Sequence, residues 1–349
     1  MPVITQKTMY MQQHHTAPRG RYIPFFDIAK VLCIVLVVIG HYIPDDSPAW
    51  WIWLHNVIYT FHMPLFLFVS GAIYAVGLKA GESYAAFVRK KALRLMVPYL
   101  TASVLIICVK LLTQGSLAVE HPTTPLSFVR MLYYPEAGFF LWFIWALWWM
   151  FLIVRLFVTR GSRLVLLVAA AVLACFDIDI DVLCISQLCK MFVYFMLGVV
   201  VFDNEAMRQV SRRAALCGFV VSAVAFVGCI ALFGDDGRVG DFMPVAVATA
   251  MSGTVAMLSL AKIIEGSMVS RRLLLPMASS TYIIYLLHTT FMGFAKVVTA
   301  KLSLTAAQGE LAFVAGAAAV VVAGVVLPVI VHRVLLRRYA VLRVLFGIN

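Results

Sequence analysis

The chain has 349 residues, 63% of them hydrophobic and only 13% charged, and its mean hydropathy is +0.97. So much apolar side chain exceeds what a soluble core requires and places the chain in lipid. The net charge of +12 does not point to nucleic acid, because Lys and Arg fall between apolar segments and form no basic stripe interleaved with aromatics.

A bilayer-spanning helix needs roughly 20 apolar residues. Helix windows are expected at 25–42, 51–76, 95–112, 139–158, 164–176, 182–202, 214–233, 242–263, 273–292 and 311–331. The expected fold class is therefore all-α: a polytopic integral membrane protein of about ten transmembrane helices. One membrane domain, 25–333, is flanked by tails at 1–24 and 334–349. The polar first 24 residues show no small-residue cleavage pattern, so the first helix is read as a retained anchor. Cations collect on one side of these windows (Lys7, Arg19, Arg21, Lys79, Arg89 to Arg94, Arg155 to Arg163, Arg208 to Arg213, Arg271, Arg272, Arg333 to Arg343). The opposite loops carry Arg130, Arg238 and Lys301 beside Asp45, Asp46, Asp177, Asp179, Asp181, Asp235 and Asp236. Positive charge is retained on the cytoplasmic side, so both termini are expected there.

The first window, FFDIAKVLCIVLVVIGHY, holds Asp27, Lys30 and His41. Eleven steps of 100° bring Lys30 and His41 within about 20° of one face and roughly 16 Å apart along the axis. Asp27 lies one turn before Lys30, as a structural pair or as part of a functional stripe. Ionisable groups at membrane depth usually face a bundle interior or a water-filled path. The second window places His62 before Met63 and Pro64, with His55 and Asn56 nearer its outer end. A mid-helix proline frees a backbone carbonyl, which favours a polar cavity beside it. Next comes FVRKKALRLMVPYL, whose Arg89, Lys90, Lys91 and Arg94 satisfy the topology rule and also suit an anion with several phosphates. No phosphate-binding glycine loop accompanies them.

The connection from Gln114 to Gly138, broken by Pro122, Pro125 and Pro135, is long enough to cover an outer site. After it, Trp142, Trp145, Trp148 and Trp149 suit an interfacial belt or, in part, ring faces for a sugar. The acidic run from Asp177 to Asp181 reads as a solvated loop, with contact to a polar acceptor or cation as the alternative. Near the end, ASSTYIIYLLHTTF sets Tyr285 and His288 three residues apart on one helix. Ala315, Gly316, Ala319 and Ala323 are expected to form a close-packing face. The seven cysteines (Cys33, Cys108, Cys175, Cys184, Cys189, Cys217, Cys229) have no metal-like spacing and read as small buried hydrophobes, with a disulfide near Cys184 or Cys189 as the alternative.

In order, DIAK with His41 eleven residues past Lys30, FHMPLFLFVSG and KKALRLMVPYL resemble the acyltransferase 3 family. LWFIWALW around Trp142 and STYIIYLLH around His288 are similar to its fucose 4-O-acetylase-like branch. The resemblance covers most of Arg21 to His288; 165–266 carries little of it, and acceptor choice is a candidate role for that stretch. Many family members carry Arg where this chain has Lys30, a departure shared by the closer branch. The resemblance implies a ten-helix plasma-membrane enzyme that takes an acyl group, commonly acetyl, from cytoplasmic acyl-CoA as co-substrate. The acceptor would be a hydroxyl of a cell-surface carbohydrate, lipid-linked sugar or related molecule, with no fused outer domain after the last helix. No bound cofactor, metal or nucleic-acid partner is expected.

On that reading His41 is a general base, since an unperturbed histidine titrates near neutrality. Asp27 orients Lys30; Lys30, Arg89, Lys90 and Arg94 hold acyl-CoA; His62, Trp142, Tyr285 and His288 bind acceptor or stabilise charge. An acyl-histidine relay is the alternative to direct transfer. The competing function is a multi-spanning transporter or flippase with Lys30, His41 and His62 as a proton or substrate path, although no internal repeat supports it.

Overall fold

The computed structural model describes residues 22–78, 81–115, 121–240 and 243–348. Lys7, Arg19, Arg21 and Lys79, cited above for topology, lie outside them. The ten expected windows all fall on helix: α1 (Pro24–Gly40), α2 (Ala49–Val76), α3 (Tyr84–Thr113), α4 (Phe139–Val154), α5 (Arg160–Leu173), α6 (Val182–Asp203), α7 (Arg212–Phe233), α8 (Met243–Ile264), α9 (Thr281–Lys301) and α10 (Glu310–Val331). Among the described residues seven helical stretches are long and apolar enough to cross a bilayer: α2, α3, α6, α7, α8, and the stretches built on α9 and α10. At 1.5 Å per residue, the 17 residues of α1 and the 14 of α5 span only roughly 25 and 21 Å, short of the roughly 30 Å hydrocarbon core. α4 is similarly short. The chain is a helical membrane protein, and its length pattern alone supports seven of the ten expected crossings.

Local sequence explains most boundaries. Pro24 opens α1, where its missing N–H costs nothing and its fixed φ suits the first turn. Ser83, Thr159 and Ser211 cap α3, α5 and α7, their hydroxyl oxygens accepting from the backbone N–H of Ala86, Ser162 and Ala214. The ninth window is divided: a π-turn at Ser270–Leu274 and a short helix at Leu275–Ala278 precede α9. Similar π-turns sit within α3 at Ala92–Met96 and after α10 at His332–Leu336. Each lies within five residues of a proline (Pro98, Pro276, Pro328), whose ring and missing donor disturb the regular ladder.

α2 and α6 cross at the centre of the bundle with almost no side chain between them. A Cβ added at Gly71 would stand 2.0 Å from the Phe195 carbonyl oxygen, and one at Gly198 would stand 2.0 Å from that of Phe68. Small residues allow such backbone approach in lipid, where van der Waals packing replaces the hydrophobic drive between helices. On α10 the buried small residues are Gly316, Ala317 and Gly324. Ala315 and Ala319 are exposed, so the packing face expected from the sequence is rotated. A Cβ at Gly316 would meet the Leu304 carbonyl at 2.1 Å, and one at Gly324 would meet Met292.

One small element was not expected, and two expectations are corrected. An antiparallel hairpin pairs Gly234–Asp235 with Arg238–Val239. Asp236 and Gly237, at φ 48° and 78°, supply the left-handed pair that a two-residue turn requires. Asn56 pins this hairpin to α2 by donating to the Asp236 carbonyl at 2.8 Å and accepting from Arg238 Nε at 3.1 Å. All seven cysteines are free thiols; Cys33, Cys184 and Cys189 are buried, while Cys108, Cys175 and Cys217 are exposed, so the buried-hydrophobe reading holds for only part of the set. Arg163, expected as a loop charge, is buried and holds Asp203 with both carboxylate oxygens at 2.6 and 2.8 Å. A buried guanidinium needs such a partner.

Candidate active site

The stripe expected on α1 leads to a cluster where four elements meet. His41 caps the C-terminal end of α1, and its ring stands perpendicular to that of His288 on α9, centroid to centroid 4.9 Å. Tyr59 of α2 lies 6.2 Å from His41 and 4.6 Å from His62. Phe140, at the start of α4, lies 6.2 Å from His41 and 5.2 Å from His288. Tyr285 packs on Phe140 at 5.8 Å, and its hydroxyl donates to the Phe140 carbonyl at 2.5 Å. The first turn of α4, which follows the Gln114 to Gly138 connection, thus closes directly on the histidines. Within that connection, 116–120 lies outside the described residues.

The histidines share one backbone arrangement. His41 Nδ1 meets the Val37 carbonyl at 2.8 Å, His62 Nδ1 meets Ile58 at 2.9 Å, and His288 Nδ1 meets Ile284 and Tyr285 at 3.1 and 2.8 Å. A carbonyl only accepts, so each Nδ1 carries the proton, and in the neutral ring Nε2 is left with the lone pair. Three imidazoles thereby present a basic nitrogen from fixed positions. His288 Nε2 is buried and has no hydrogen-bond partner among the described residues; the same holds for Tyr282 Oη and Trp145 Nε1. His55 uses the same pattern for a structural end: its Nδ1 donates to the Gly40 carbonyl at 2.7 Å and satisfies one of the orphan carbonyls at the end of α1.

The opposite end of α1 is charged. Lys30 Nζ and Asp27 Oδ1 are 2.7 Å apart, with both side chains about a quarter exposed (28% and 22%). Burial and then the Asp27 carboxylate raise the pKa of the Tyr22 hydroxyl, just before the helix, so it stays protonated beside Asp27. Nearby on α8, Lys262 pairs with Glu265 at 2.6 Å and lies over the Phe25 ring. In the basic turn of α3, Arg89 and Arg94 are exposed, Lys90 pairs with Glu82, and Lys91 sits 3.1 Å above the Phe151 ring.

Of the site residues expected from sequence, His41, Tyr285 and His288 meet, and His62 joins them through Tyr59. Asp27 and Lys30 form the expected pair at the far end. Trp142 does not reach the histidines; its ring meets Phe143, which in turn meets Tyr285 at 5.6 Å. Sequence reasoning missed Tyr59 and Phe140. Tyr59 carries a usable signal, four residues after His55 and three before His62 on one helical face, whereas Phe140, on the first turn of α4, meets the histidines only through the tertiary fold and no local spacing marks it. Among the described residues no group of three His, Cys, Asp or Glu side chains has the arrangement of a metal site.

The family model described as an acyltransferase domain matches residues 23–333. The chain belongs to the acyltransferase 3 family. Both ends of α1, the basic turn of α3 and the His288 segment all fall inside the matched region. The chain is 30% identical over 154 residues to the nodulation protein NolL of Mesorhizobium japonicum, covering 43% of this chain and 39% of the relative. It is 30% identical over 220 residues to the nodulation protein NolL of Sinorhizobium fredii, covering 60% of this chain and 57% of the relative. The chain therefore spans about two fifths to three fifths of the length of these relatives. No solved structure matches it.

Proposed function

We propose that this family member is a plasma-membrane O-acyltransferase that moves an acyl group, acetyl in the simplest case, from acyl-CoA to a hydroxyl of a cell-surface carbohydrate or related acceptor. The observation that carries the reading is the His41–His288 contact, with a basic Nε2 on each ring. In the proposed reaction His41 Nε2 takes the proton of the acceptor hydroxyl as its oxygen attacks the thioester carbonyl. The C–S bond then breaks, and the CoA sulfur leaves with the proton returned by His41. His288 and His62, protonated on Nδ1 in the neutral ring, accept rather than donate at Nε2. Their role is therefore to orient acceptor hydroxyls, not to stabilise an oxyanion.

Lys30, held by Asp27, binds donor phosphates at the other end of α1, with Arg89, Lys90 and Arg94 as further phosphate ligands. The roughly 16 Å between Lys30 and His41 along the helix requires an extended donor lying along α1. This reading takes all ten helices as crossings with both termini cytoplasmic, the short α1 and α4 being packed inside the bundle and the short α5 lying at its surface. The experiment is CoA release from acetyl-CoA by the full chain in lipid, with a panel of sugar acceptors. Acceptor-stimulated release that vanishes in His41→Ala supports the reading. No release and no acetyl-CoA binding by the wild type overturns it in favour of transport.

A further inference from the structure

A second feature at the basic end of the bundle shares no residue with the histidine cluster. Between the turn before α9 and the end of α10 lies an open groove of about 190 Å³, lined by Arg272, Pro276, Met277, Val326, Val329 and Arg333 among others. Val329 and Val326 lie four and seven residues before Arg333, on its face of α10, and Pro276 and Met277 lie four and five residues after Arg272. Because α9 and α10 form an antiparallel hairpin, both walls pass from guanidinium to hydrocarbon in the same direction. Arg333 Nη2 ties them by donating to the Pro276 carbonyl at 3.1 Å.

The charge on this groove is one-sided. No carboxylate lines it, and among the described residues neither Arg272 nor Arg333 takes part in an ion pair. Arg271, Arg337 and Arg338 add positive charge nearby. Topology explains why cations gather at one end of a membrane protein. It does not explain two of them heading an apolar cleft that opens on the outer surface of the helices. The matching ligand is an amphiphile with an anionic head, and guanidinium pairs are suited to phosphate.

We propose that this groove binds one anionic glycerophospholipid, its phosphate held by Arg272 and Arg333 and an acyl chain lying along Pro276, Met277, Val326 and Val329. Each arginine near a membrane surface contributes about 1 kcal/mol toward an acidic lipid, or about fivefold in affinity. Removing both therefore lowers affinity about 25-fold.

The test is native mass spectrometry of the full chain titrated with phosphatidylglycerol or phosphatidylcholine, for wild type, R272Q, R333Q and the double variant. The expected result is preferential retention of phosphatidylglycerol, weakened about fivefold by each single change and about 25-fold by both, and unaffected by R212Q. Excess inorganic phosphate should leave the lipid bound; full displacement would assign the site to free phosphate and overturn the proposal. Equal retention of the two lipids, or unchanged retention in the double variant, overturns it as well. Should the arginine variants unfold, V326W fills the groove while keeping both charges, and undiminished retention in V326W contradicts the proposal. None of these readouts depends on acyl transfer, so failure here is separable from failure of the catalytic reading.

Discussion

The two ends of α1 are built from opposite chemistry on a single helix. At one end Asp27 and Lys30 form an ion pair about a quarter exposed, with a second pair, Lys262 and Glu265, near by. At the other, His41 sits among His288, Tyr59 and Phe140, with its Nδ1 occupied by backbone. A charged, hydrated end can hold an anion without a large desolvation cost. A ring-walled end with fixed tautomers suits proton transfer. On the proposed reading, the first end binds the donor's phosphates and the second carries the chemistry.

The sharpest way to break that division is at His41. His41→Ala should lower turnover by about 10²- to 10⁴-fold, the range of general-base removal, and leave acetyl-CoA affinity unchanged; isothermal titration beside a CoA-release assay reads both. His288→Phe keeps a ring against Phe140 but removes Nε2. It should raise the acceptor KM by about tenfold, the cost of one lost polar contact, with little change in the KM for acyl-CoA. Initial rates at varied acceptor check it.

Two smaller effects test how the histidine end is held in place. Gly198→Ala drives a methyl toward the Phe68 carbonyl and should cost about 1–3 kcal/mol as overpacking, seen as a lower melting temperature with activity lost in step with fold. His55→Ala removes the bond to Gly40 and should cost about 1 kcal/mol of stability, while the KM for acyl-CoA stays unchanged. A large KM effect would show that His55 touches donor.

Much of the charged end was legible in sequence, because it depends on spacing within one helix: Asp27 pairs with Lys30 one turn later, and His41 follows on that face. The other end was legible only in its separate parts. Tyr285 and Phe140 meet across 145 positions of chain, and no local periodicity encodes that closure. The rotated packing face of α10 was hidden for a related reason: Ala315 and Gly316 fit a small-residue pattern equally, and the path of Leu304 decides which is buried. The Asp236–Gly237 turn did carry its signal, but the strands on either side of it are only two residues long, too short for an alternating pattern to mark the hairpin.

The most direct measurement compares Lys30→Gln and His41→Ala in one lipid preparation, reading acetyl-CoA dissociation constant and single-turnover rate for each. Opposite signatures are predicted: Lys30→Gln weakens acetyl-CoA binding by about tenfold with the saturated rate nearly intact, and His41→Ala lowers the rate by about 10²- to 10⁴-fold with binding intact. If both variants lose binding together, or both lose rate together, α1 does not divide donor binding from chemistry and the assignment fails.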